Sequence, residues 1–351
     1  MKYAVIEIRL GGAELLISET ANDGAISQVL RALKPFALIS YVKGNKLSPR
    51  GIEKLAEVIN EFKGLCTANG VEKIQAIALN SLKALKNTSE ILDSLKETSE
   101  LDFELLPKST LAHCDMLAAR EFTGKQGLLI IDSGSGSTQL IDMNPNLDEN
   151  MLYLGLGGMK LSKKFVKNVL PSKAEVKAIE KYITKKLDKK FFKRKFEHSV
   201  LIGNTSYSLA KIYADYFDEV LDENLAIGRK KLKDLLNFLI NNPQKFALIL
   251  KNAPEKINTI IANILIIKEI MGKLKLKEAN VRDYGIIDGY MCGMINHSLP
   301  SESEPEGKET NPQVPVTKNK KSAAKKPIEK TTAYEPVVES ETIEEEQTAI
   351  E

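Results

Sequence analysis

Residues 128–140 read LLIIDSGSGSTQL, an apolar run that ends in Asp132 and opens into a turn of glycine, serine and threonine. The run predicts a buried strand over Leu128–Asp132, and Gln139–Met143 is its expected hairpin partner. Glycines in such a turn let backbone amides approach a phosphate closely, and small hydroxyl groups donate further hydrogen bonds. A carboxylate at the strand end can hold a hydrated Mg²⁺ beside that phosphate. An ordinary hairpin turn capped by Asp132 fits the same residues, so the string by itself leaves both interpretations open.

The sequence before this stretch alternates strand and helix signals. It predicts a hairpin around Gly11-Gly12, a further strand at Phe36–Val42 and a helix that starts with Ser48 as N-cap and Pro49 in its first turn. Strands at Ile74–Leu79 and Phe103–Leu106 follow, each with a helix behind it. This order predicts a mixed sheet with helices packed on it.

The same order of signals restarts at Gly127, which suggests an internal duplication. We therefore predict an α/β protein with an N-terminal domain over residues 1–122, a second domain over 123–297 and a cleft between them. From Ser298 onward the chain is rich in Pro, Ser, Thr, Glu and Lys and poor in large apolar residues. Residues 298–351 are therefore expected to be a disordered tail.

The tail carries a basic stretch before an acidic one, and two interpretations fit this pattern. It is either a solvated, self-attracting segment or an arm that binds a protein or a polyanion such as polyphosphate. A second basic segment, KKLDKKFFKRK at residues 185–195, has two interpretations of its own. It is an exposed helix end whose aromatic residues pack on the second domain, or it steers a polyanion toward the cleft.

The composition of the chain argues against a nucleic-acid-binding protein, a membrane protein and a zinc site. The net charge of +3 among 351 residues does not by itself imply specific binding of nucleic acid or attachment to an anionic membrane. No apolar run approaches the roughly 20 residues that cross a bilayer. Cys66, Cys114 and Cys292 are scattered and form no CxxC pair, which is typical of a reducing cytoplasm. The three histidines lie far apart, so a His/Cys zinc site is not expected.

The stretch DSGSGSTQ resembles the D-I-G-G-G-S-T-E phosphate loop of the exopolyphosphatase/guanosine-pentaphosphate phosphatase family, in the actin and sugar-kinase superfamily. Four further motifs of that family have counterparts in the same order along the chain. They are ALNSLKALKN at 78–87, YLGLGGMKLSKKF at 153–165, GNTSYSLA at 203–210 and DYGIIDG at 283–289. The resemblance implies two actin-like (ribonuclease H-like) domains, a homodimer, and hydrolysis of terminal phosphate from polyphosphate or guanosine pentaphosphate with Mg²⁺.

Carried over residue by residue, the resemblance implies a partial site. The positions that would bind phosphate are Gly134, Ser135, Gly136, Ser137 and Thr138 in the loop, with Lys83 and Lys160 where the family has Arg. Asp132 and Glu7 would hold the metal. Lysine keeps the positive charge but lacks the planar fork that grips phosphate through two hydrogen bonds.

Departures from the family fall at positions that turnover needs. Arg9 and Leu10 replace the Gly and Ser of the first phosphate loop, and Arg9 is either plain strand surface or a new anion-binding group. Thr110 and Leu111 stand at the two acidic positions that supply the general base, and Gln139 replaces the Glu that closes the second loop. Asp115 on the same predicted helix is an alternative acid.

Loss of a positioned base typically costs about 10²–10⁴ in rate. We therefore expect a weak or inactive phosphatase. The alternatives are a non-catalytic protein that binds a phosphorylated ligand or a partner, and a scaffold that acts through its tail.

Overall fold

The first part of the chain builds a five-stranded sheet. In the computed structural model, which describes residues 1–21, 25–34, 38–122, 125, 127–144, 150–187 and 190–300, the chain begins with the predicted hairpin. Its strands are β1 (Lys2–Arg9) and β2 (Gly12–Thr20), and β3 (Ile26–Lys34) pairs antiparallel with β2. A small hairpin of β4 (Val42–Lys43) and β5 (Lys46–Leu47) follows. Then β6 (Lys73–Ala78) joins β1 in parallel and β7 (Phe103–Leu105) joins β6, which gives the order β3-β2-β1-β6-β7.

Three helices accompany this sheet: α1 (Pro49–Ala68), α2 (Thr88–Ser99) and α3 (Lys108–Ala118). The predicted cap of α1 is confirmed, because the Ser48 hydroxyl accepts a hydrogen bond of 3.3 Å from the amide of Gly51. The strand predicted at Phe36–Val42 is wrong over residues 38–41, and the start of that stretch lies outside the described residues. The edge of the sheet beside β2 is occupied by β3, and Leu38–Tyr41 forms a 3₁₀ turn with Leu38 buried.

The second part of the chain builds a six-stranded sheet in the order β10-β9-β8-β11-β13-β12. Its strands are β8 (Leu128–Ser133), β9 (Thr138–Asp142), β10 (Met151–Leu154), β11 (His198–Ile202), β12 (Ala226–Gly228) and β13 (Glu278–Val281). As in the first sheet, three antiparallel strands lead into parallel neighbours, here β11 and β13. The predicted α/β class and the repeated order of elements are confirmed.

Seven helices belong to this part of the described chain. They are α4 (Gly158–Phe165), α5 (Lys173–Lys186), α6 (Asn204–Phe217), α7 (Arg229–Asn241), α8 (Lys245–Asn252), α9 (Ile260–Lys273) and α10 (Ile286–Ile295). The last of them packs on α3 and β1 of the first sheet, where a β-carbon on Gly289 would lie 1.8 Å from the carbonyl oxygen of Cys114. The predicted domain boundaries at residues 122 and 297 stay predictions. Helix α10 belongs to the predicted second domain by sequence but packs on elements of the predicted first domain.

Two core clusters account for most of the buried apolar side chains, one beneath each sheet. Phe191 and Phe192 of the basic segment belong to the second cluster and are 6% and 7% exposed, so these two aromatic residues pack on the second part of the protein. Steering of a polyanion by that segment stays a prediction. All three cysteines are buried free thiols.

The chain is anchored just past α10. The amide of Ser298 donates to the carbonyl of Gly293, and its own carbonyl oxygen lies 2.8 Å from Nε2 of His113. The rest of the predicted tail, residues 301–351, lies outside the described residues. Within the described part of the chain, every helix is too short or too polar to cross a bilayer.

Candidate functional site

The turn between β8 and β9 is held by its own hydroxyl and backbone groups. The amide of Gly134 donates to the carbonyl of Ser137 at 2.9 Å, which closes the turn. The hydroxyls of Ser133 and Thr138 lie 3.2 Å apart, and Thr138 donates to the carbonyl of Leu156 at 2.9 Å. Thr138 is fully buried, so its hydroxyl supports the loop from behind.

The first turn of α4 holds the same loop from the other side. The amide of Gly158 donates to the carbonyl of Gly134 at 3.2 Å, and that of Met159 donates to the carbonyl of Ser135 at 3.0 Å. A β-carbon on Gly157 would lie 2.4 Å from the carbonyl oxygen of Ser135, so only glycine allows this close approach. The helix amides therefore bond the loop carbonyls, and the loop is rigidly placed.

A cavity of about 80 Å³ lies where this loop faces the turn between β1 and β2. The first sheet and its turns contribute Glu7, Arg9, Leu10, Gly11, Glu14, Arg31, Leu79 and Ser81 to its lining. The second part contributes Asp132, Gly134–Ser137, Gln139, Gly203–Thr205, Lys256 and Gly285–Ile287, and Leu111 of α3 completes it. We call this space the cleft cavity. It has several times the roughly 10–15 Å³ that one water molecule requires.

The N-terminus of α6 opens onto the cleft cavity. Gly203 precedes the helix with φ of +85° and, as a glycine, has no side chain to cap the first amides. A β-carbon on Gly203 would lie 2.8 Å from Oδ1 of Asp132, which places the carboxylate directly beside this turn. Amides at a helix N-terminus favour negative charge.

Five charged side chains form a continuous chain of ion pairs along the first sheet, running Glu7–Arg9–Glu14–Arg31–Asp288. Arg9 bonds Glu7 through Nη1, and its Nη2 lies 2.6 Å from Oε2 of Glu14. The Nε of Arg31 lies 2.7 Å from the other oxygen of Glu14, and its Nη atoms bond both oxygens of Asp288. Glu7 and Glu14 are 1% and 2% exposed, whereas the arginines and Asp288 are partly exposed, so the glutamates form the buried end of their pairs.

Burial governs the ionisation of the carboxylates around the cavity. It raises the pKa of Glu7 to about 7 against the attraction of Arg9, and the charges of Glu14 and Asp132 add to the rise. It raises the pKa of Asp132 to about 6, although Arg9 and a hydrogen bond from Gln139 pull that pKa down. Burial also raises the pKa of Glu14, but Arg9 and Arg31 outweigh it and the pKa ends below its usual range.

The two predicted lysines occupy different positions. Lys160 is partly buried, its Cε lies 3.9 Å from where a β-carbon on Gly136 would be, and burial lowers its pKa. Lys83 is exposed on the 3₁₀ turn Asn80–Ala84, and Ser81 of that turn lines the cavity instead. A third lysine, Lys256, also lines the cavity and was not predicted from the sequence. Burial, together with the nearby charge of Arg9, lowers the pKa of Lys256 to about 8.

The sequence of this chain matches a known family. The model of the Ppx/GppA phosphatase family matches residues 17–298. The chain belongs to that family.

Relatives agree with this assignment. The chain is 20% identical over 190 residues to the Exopolyphosphatase 1 proteins of Mycobacterium bovis and Mycobacterium tuberculosis, a match that covers 53% of this chain and 55% of those proteins. It thus spans about half the length of these relatives. The crystal structure of the Aquifex aeolicus Ppx/GppA family member superimposes with a TM-score of 0.69 at 22% identity, over 86% of this chain and 99% of that one. An exopolyphosphatase from Cytophaga hutchinsonii gives 0.74 at 15% identity, over 85% and 98%.

At the two positions where the Ppx/GppA resemblance implies acidic residues, the side chains differ in orientation. Leu111 lines the cleft cavity and is 3% exposed. Thr110 is buried nearby on α3 and is outside the described lining. Neither side chain can take a proton from water at neutral pH.

Asp115, the alternative acid, is fully buried on the same helix. Its Oδ2 accepts a hydrogen bond of 3.1 Å from Nε2 of Gln139, while its Oδ1 and the Gln139 Oε1 have no partner among the described residues. Burial, with the charges of Asp132 and Glu7, raises the Asp115 pKa well above its usual range. Asp115 is therefore a buried acid whose neutral form is favoured by burial, and it lies away from the described lining of the cavity.

A divalent cation does not fit the residues that the resemblance implies for it. Glu7 already bonds the guanidinium of Arg9, whose charge also attracts Asp132. Gln139 stands where the family has a Glu. Within the described ranges, no group of three or more His, Cys, Asp or Glu is placed to hold a metal ion.

Two residues of the ion-pair chain, Glu14 and Arg31, were not predicted from the sequence. A signal for the first existed, because the hairpin around Gly11-Gly12 sets Glu7 directly opposite Glu14. Like charges at paired positions are destabilising unless a cation lies between them. Arg31 had no such signal, since its partner Asp288 lies 257 residues away.

Proposed function

We propose that this protein binds the terminal phosphate group of a polyphosphate chain or of a phosphorylated nucleotide in the cleft cavity, and that it hydrolyses the adjoining phosphoanhydride bond slowly or not at all. The name of the mycobacterial relatives, Exopolyphosphatase 1, supports this ligand class.

The observation that carries the proposal is that Leu111 lies in the cavity wall. It stands at one of the two positions where the family resemblance implies the acidic residues that supply the base. An isobutyl side chain can neither accept a proton nor orient an attacking water, and such a loss typically costs about 10²–10⁴ in rate. Asp115 does not compensate, because it is fully buried away from the described lining of the cavity and its Oδ2 bonds Gln139.

Retained features support binding. The loop Gly134–Ser137 and the uncapped amides of α6 both face the cavity, and amides at such positions stabilise phosphate oxygens. Arg9 and Lys256 add positive charge to the same wall. The homodimer and the partner of the tail stay predictions.

The test is phosphate release from long-chain polyphosphate and from guanosine pentaphosphate with Mg²⁺, with binding measured by calorimetry on the same samples. Asp132→Ala is compared with Asp93→Ala, an exposed aspartate on α2, for release. Lys256→Gln is compared with Lys251→Gln, an exposed lysine on α8, for binding.

Binding that Lys256→Gln weakens and Lys251→Gln does not, without release above background, is the expected result. Release that Asp132→Ala abolishes would instead make this an active phosphatase with another base. If the protein neither binds nor releases phosphate, the cleft is refuted as a phosphate site and a function of the tail is favoured.

A further inference from the structure

Arg9 lies at the end of β1, among carboxylates that belong to three different elements. Its Nη1 bonds Glu7 two residues earlier, and its Nη2 bonds Glu14 across the hairpin at 2.6 Å. It lies close enough to Asp132, at the end of β8, to favour the charged form of that carboxylate. One guanidinium therefore supplies positive charge to both carboxylates, Glu7 and Asp132, that the family resemblance assigns to a metal.

The Glu14 partner of Arg9 is itself fixed by further bonds. Glu14 is bound on its second oxygen by Arg31, which in turn bonds both oxygens of Asp288 at 2.8 and 3.1 Å. The Oδ2 of Asp288 also accepts the amide of Gly285 at 2.8 Å, so the series ends on the backbone that begins α10. Displacing Arg9 would leave Glu14 with one partner fewer in a buried position.

Charge balance requires a cation at this point. Glu7 faces Glu14 directly in the hairpin register, and both are almost fully buried. Two buried carboxylates at paired positions repel each other, and Asp132 adds a third negative charge. Arg9 supplies the compensating charge from within the chain.

Arg9 still has donors to offer. A guanidinium carries five N–H groups, and the bonds to Glu7 and Glu14 use one on each Nη. The side chain is 21% exposed, and Arg9 lines the cleft cavity beside the Gly134–Ser137 loop. Its planar fork suits the oxygen atoms of a phosphate.

We propose that Arg9 takes the place of a divalent cation in the cleft: it neutralises Glu7 and Asp132 and bridges them to a phosphate oxygen, so that the protein binds phosphoanhydrides without Mg²⁺. The phosphate part of this inference rests on the proposed function, whereas the exclusion of the cation does not.

The experiment uses the full chain and two separate readouts. Affinity for tripolyphosphate is measured by calorimetry in EDTA and in Mg²⁺. Binding of Mn²⁺ alone is measured from the loss of the free-ion paramagnetic resonance signal. The variants are Arg9→Ala, Arg9→Lys, Asp132→Asn and the double variant Arg9→Ala/Asp132→Asn. Arg50→Ala, which removes an exposed arginine of α1, is the matched control.

We expect wild type and Arg50→Ala to bind tripolyphosphate with affinities in EDTA and Mg²⁺ that agree within about twofold, and to bind no Mn²⁺ that depends on Asp132. Arg9→Ala should bind tripolyphosphate at least about tenfold more weakly in EDTA, the loss expected for about 1.4 kcal/mol. It should also gain one Mn²⁺ that the double variant does not bind.

A tenfold loss of wild-type affinity in EDTA, or Mn²⁺ bound by wild type and lost in Asp132→Asn, would overturn the inference. If wild type binds no tripolyphosphate at all, the proposed function fails, while a gain of Mn²⁺ in Arg9→Ala would still support the replacement of the cation. Should Arg9→Ala fail to fold, the wild-type measurements and Arg9→Lys decide the question, since lysine keeps the charge and should still exclude Mn²⁺.

Discussion

The side-chain amide of Gln139 donates to the carboxyl of Asp115 across 3.1 Å, and both residues are almost fully buried. This bond ties β9 to α3 and brings a neutral amide next to two acids, because Gln139 also lies directly opposite Asp132 in the pairing of β8 with β9. A negative charge at position 139 would face both of them.

Gln139→Glu, which restores the acidic residue of the family loop, should therefore destabilise this chain. We expect a loss of about 1–3 kcal/mol in the free energy of unfolding at pH 8, because a third carboxyl would enter a buried cluster. A buried acid with a raised pKa is neutral at low pH, so the loss should shrink toward pH 5. Urea denaturation at both pH values measures this, with Gln28→Glu, at an exposed position on β3, as a control for the substitution. An equal loss at pH 5 and pH 8 would contradict the electrostatic cause.

Asp132→Asn should stabilise the protein at pH 8. Burial raises the pKa of Asp132 from its usual value to about 6, so the folded state binds a proton that the unfolded state has already released between pH 4 and pH 6. Wild-type stability therefore falls across this window, and the amide removes that cost of about 1–3 kcal/mol. Unfolding free energies at pH 4, 5, 6 and 8 should show the variant's advantage growing to pH 6 and then remaining constant. Asp93→Asn, at an exposed position, should show no such trend.

Leu111→Glu should increase phosphate release from polyphosphate, and Thr110→Glu should not. Only Leu111 lines the cleft cavity, so only a carboxylate there can approach an attacking water. We expect a gain of about tenfold or more over wild type, within the 10²–10⁴ that a positioned base contributes. Release is followed with molybdate, and circular dichroism checks that both variants are folded. A larger gain in Thr110→Glu would mean that α3 turns differently toward the ligand.

Gly157→Ala should weaken phosphate binding and lower stability together. Its β-carbon would lie 2.4 Å from the carbonyl oxygen of Ser135, a backbone atom, so the phosphate loop must move. Forced repacking of this kind typically costs about 1–3 kcal/mol. Gly155→Ala is the matched control, because a β-carbon there meets nothing within 4 Å. Thermal unfolding and tripolyphosphate calorimetry on both variants provide the comparison, and equal behaviour of the two would disprove the tight contact.

Affinity for tripolyphosphate should fall as the pH rises from 7.5 to 9. Burial and the nearby charge of Arg9 lower the pKa of Lys256 to about 8, so its positive charge is present below pH 8 and lost above it. Lys256→Gln should bind more weakly at pH 7.5 and lose this fall. Lys251→Gln, on the exposed side of α8, should keep the wild-type profile. A pH profile unchanged by Lys256→Gln would place the titrating group elsewhere.

Much of the fold could be predicted because its signals are local. The cap at Ser48 and the glycine turn at Gly11-Gly12 act over a few residues, and the structure has both where the sequence indicates them. The strand predicted at Phe36–Val42 failed because apolar residues also suit a buried 3₁₀ turn, and composition does not distinguish the two.

By itself, the sequence determined the α/β order, the repeated unit, the Gly/Ser turn after Asp132 and the absence of an acidic residue at Thr110 and Leu111. The tertiary structure decided that Leu111 lines the cavity, that Lys256 reaches it, and that Arg9 lies between Glu7 and Glu14 with Asp132 nearby. The physical reason is the distance along the sequence over which each interaction acts. Caps, turns and strand periodicity depend on residues close in sequence, whereas the ion pairs of a buried charge depend on strand register and on the packing of two sheets.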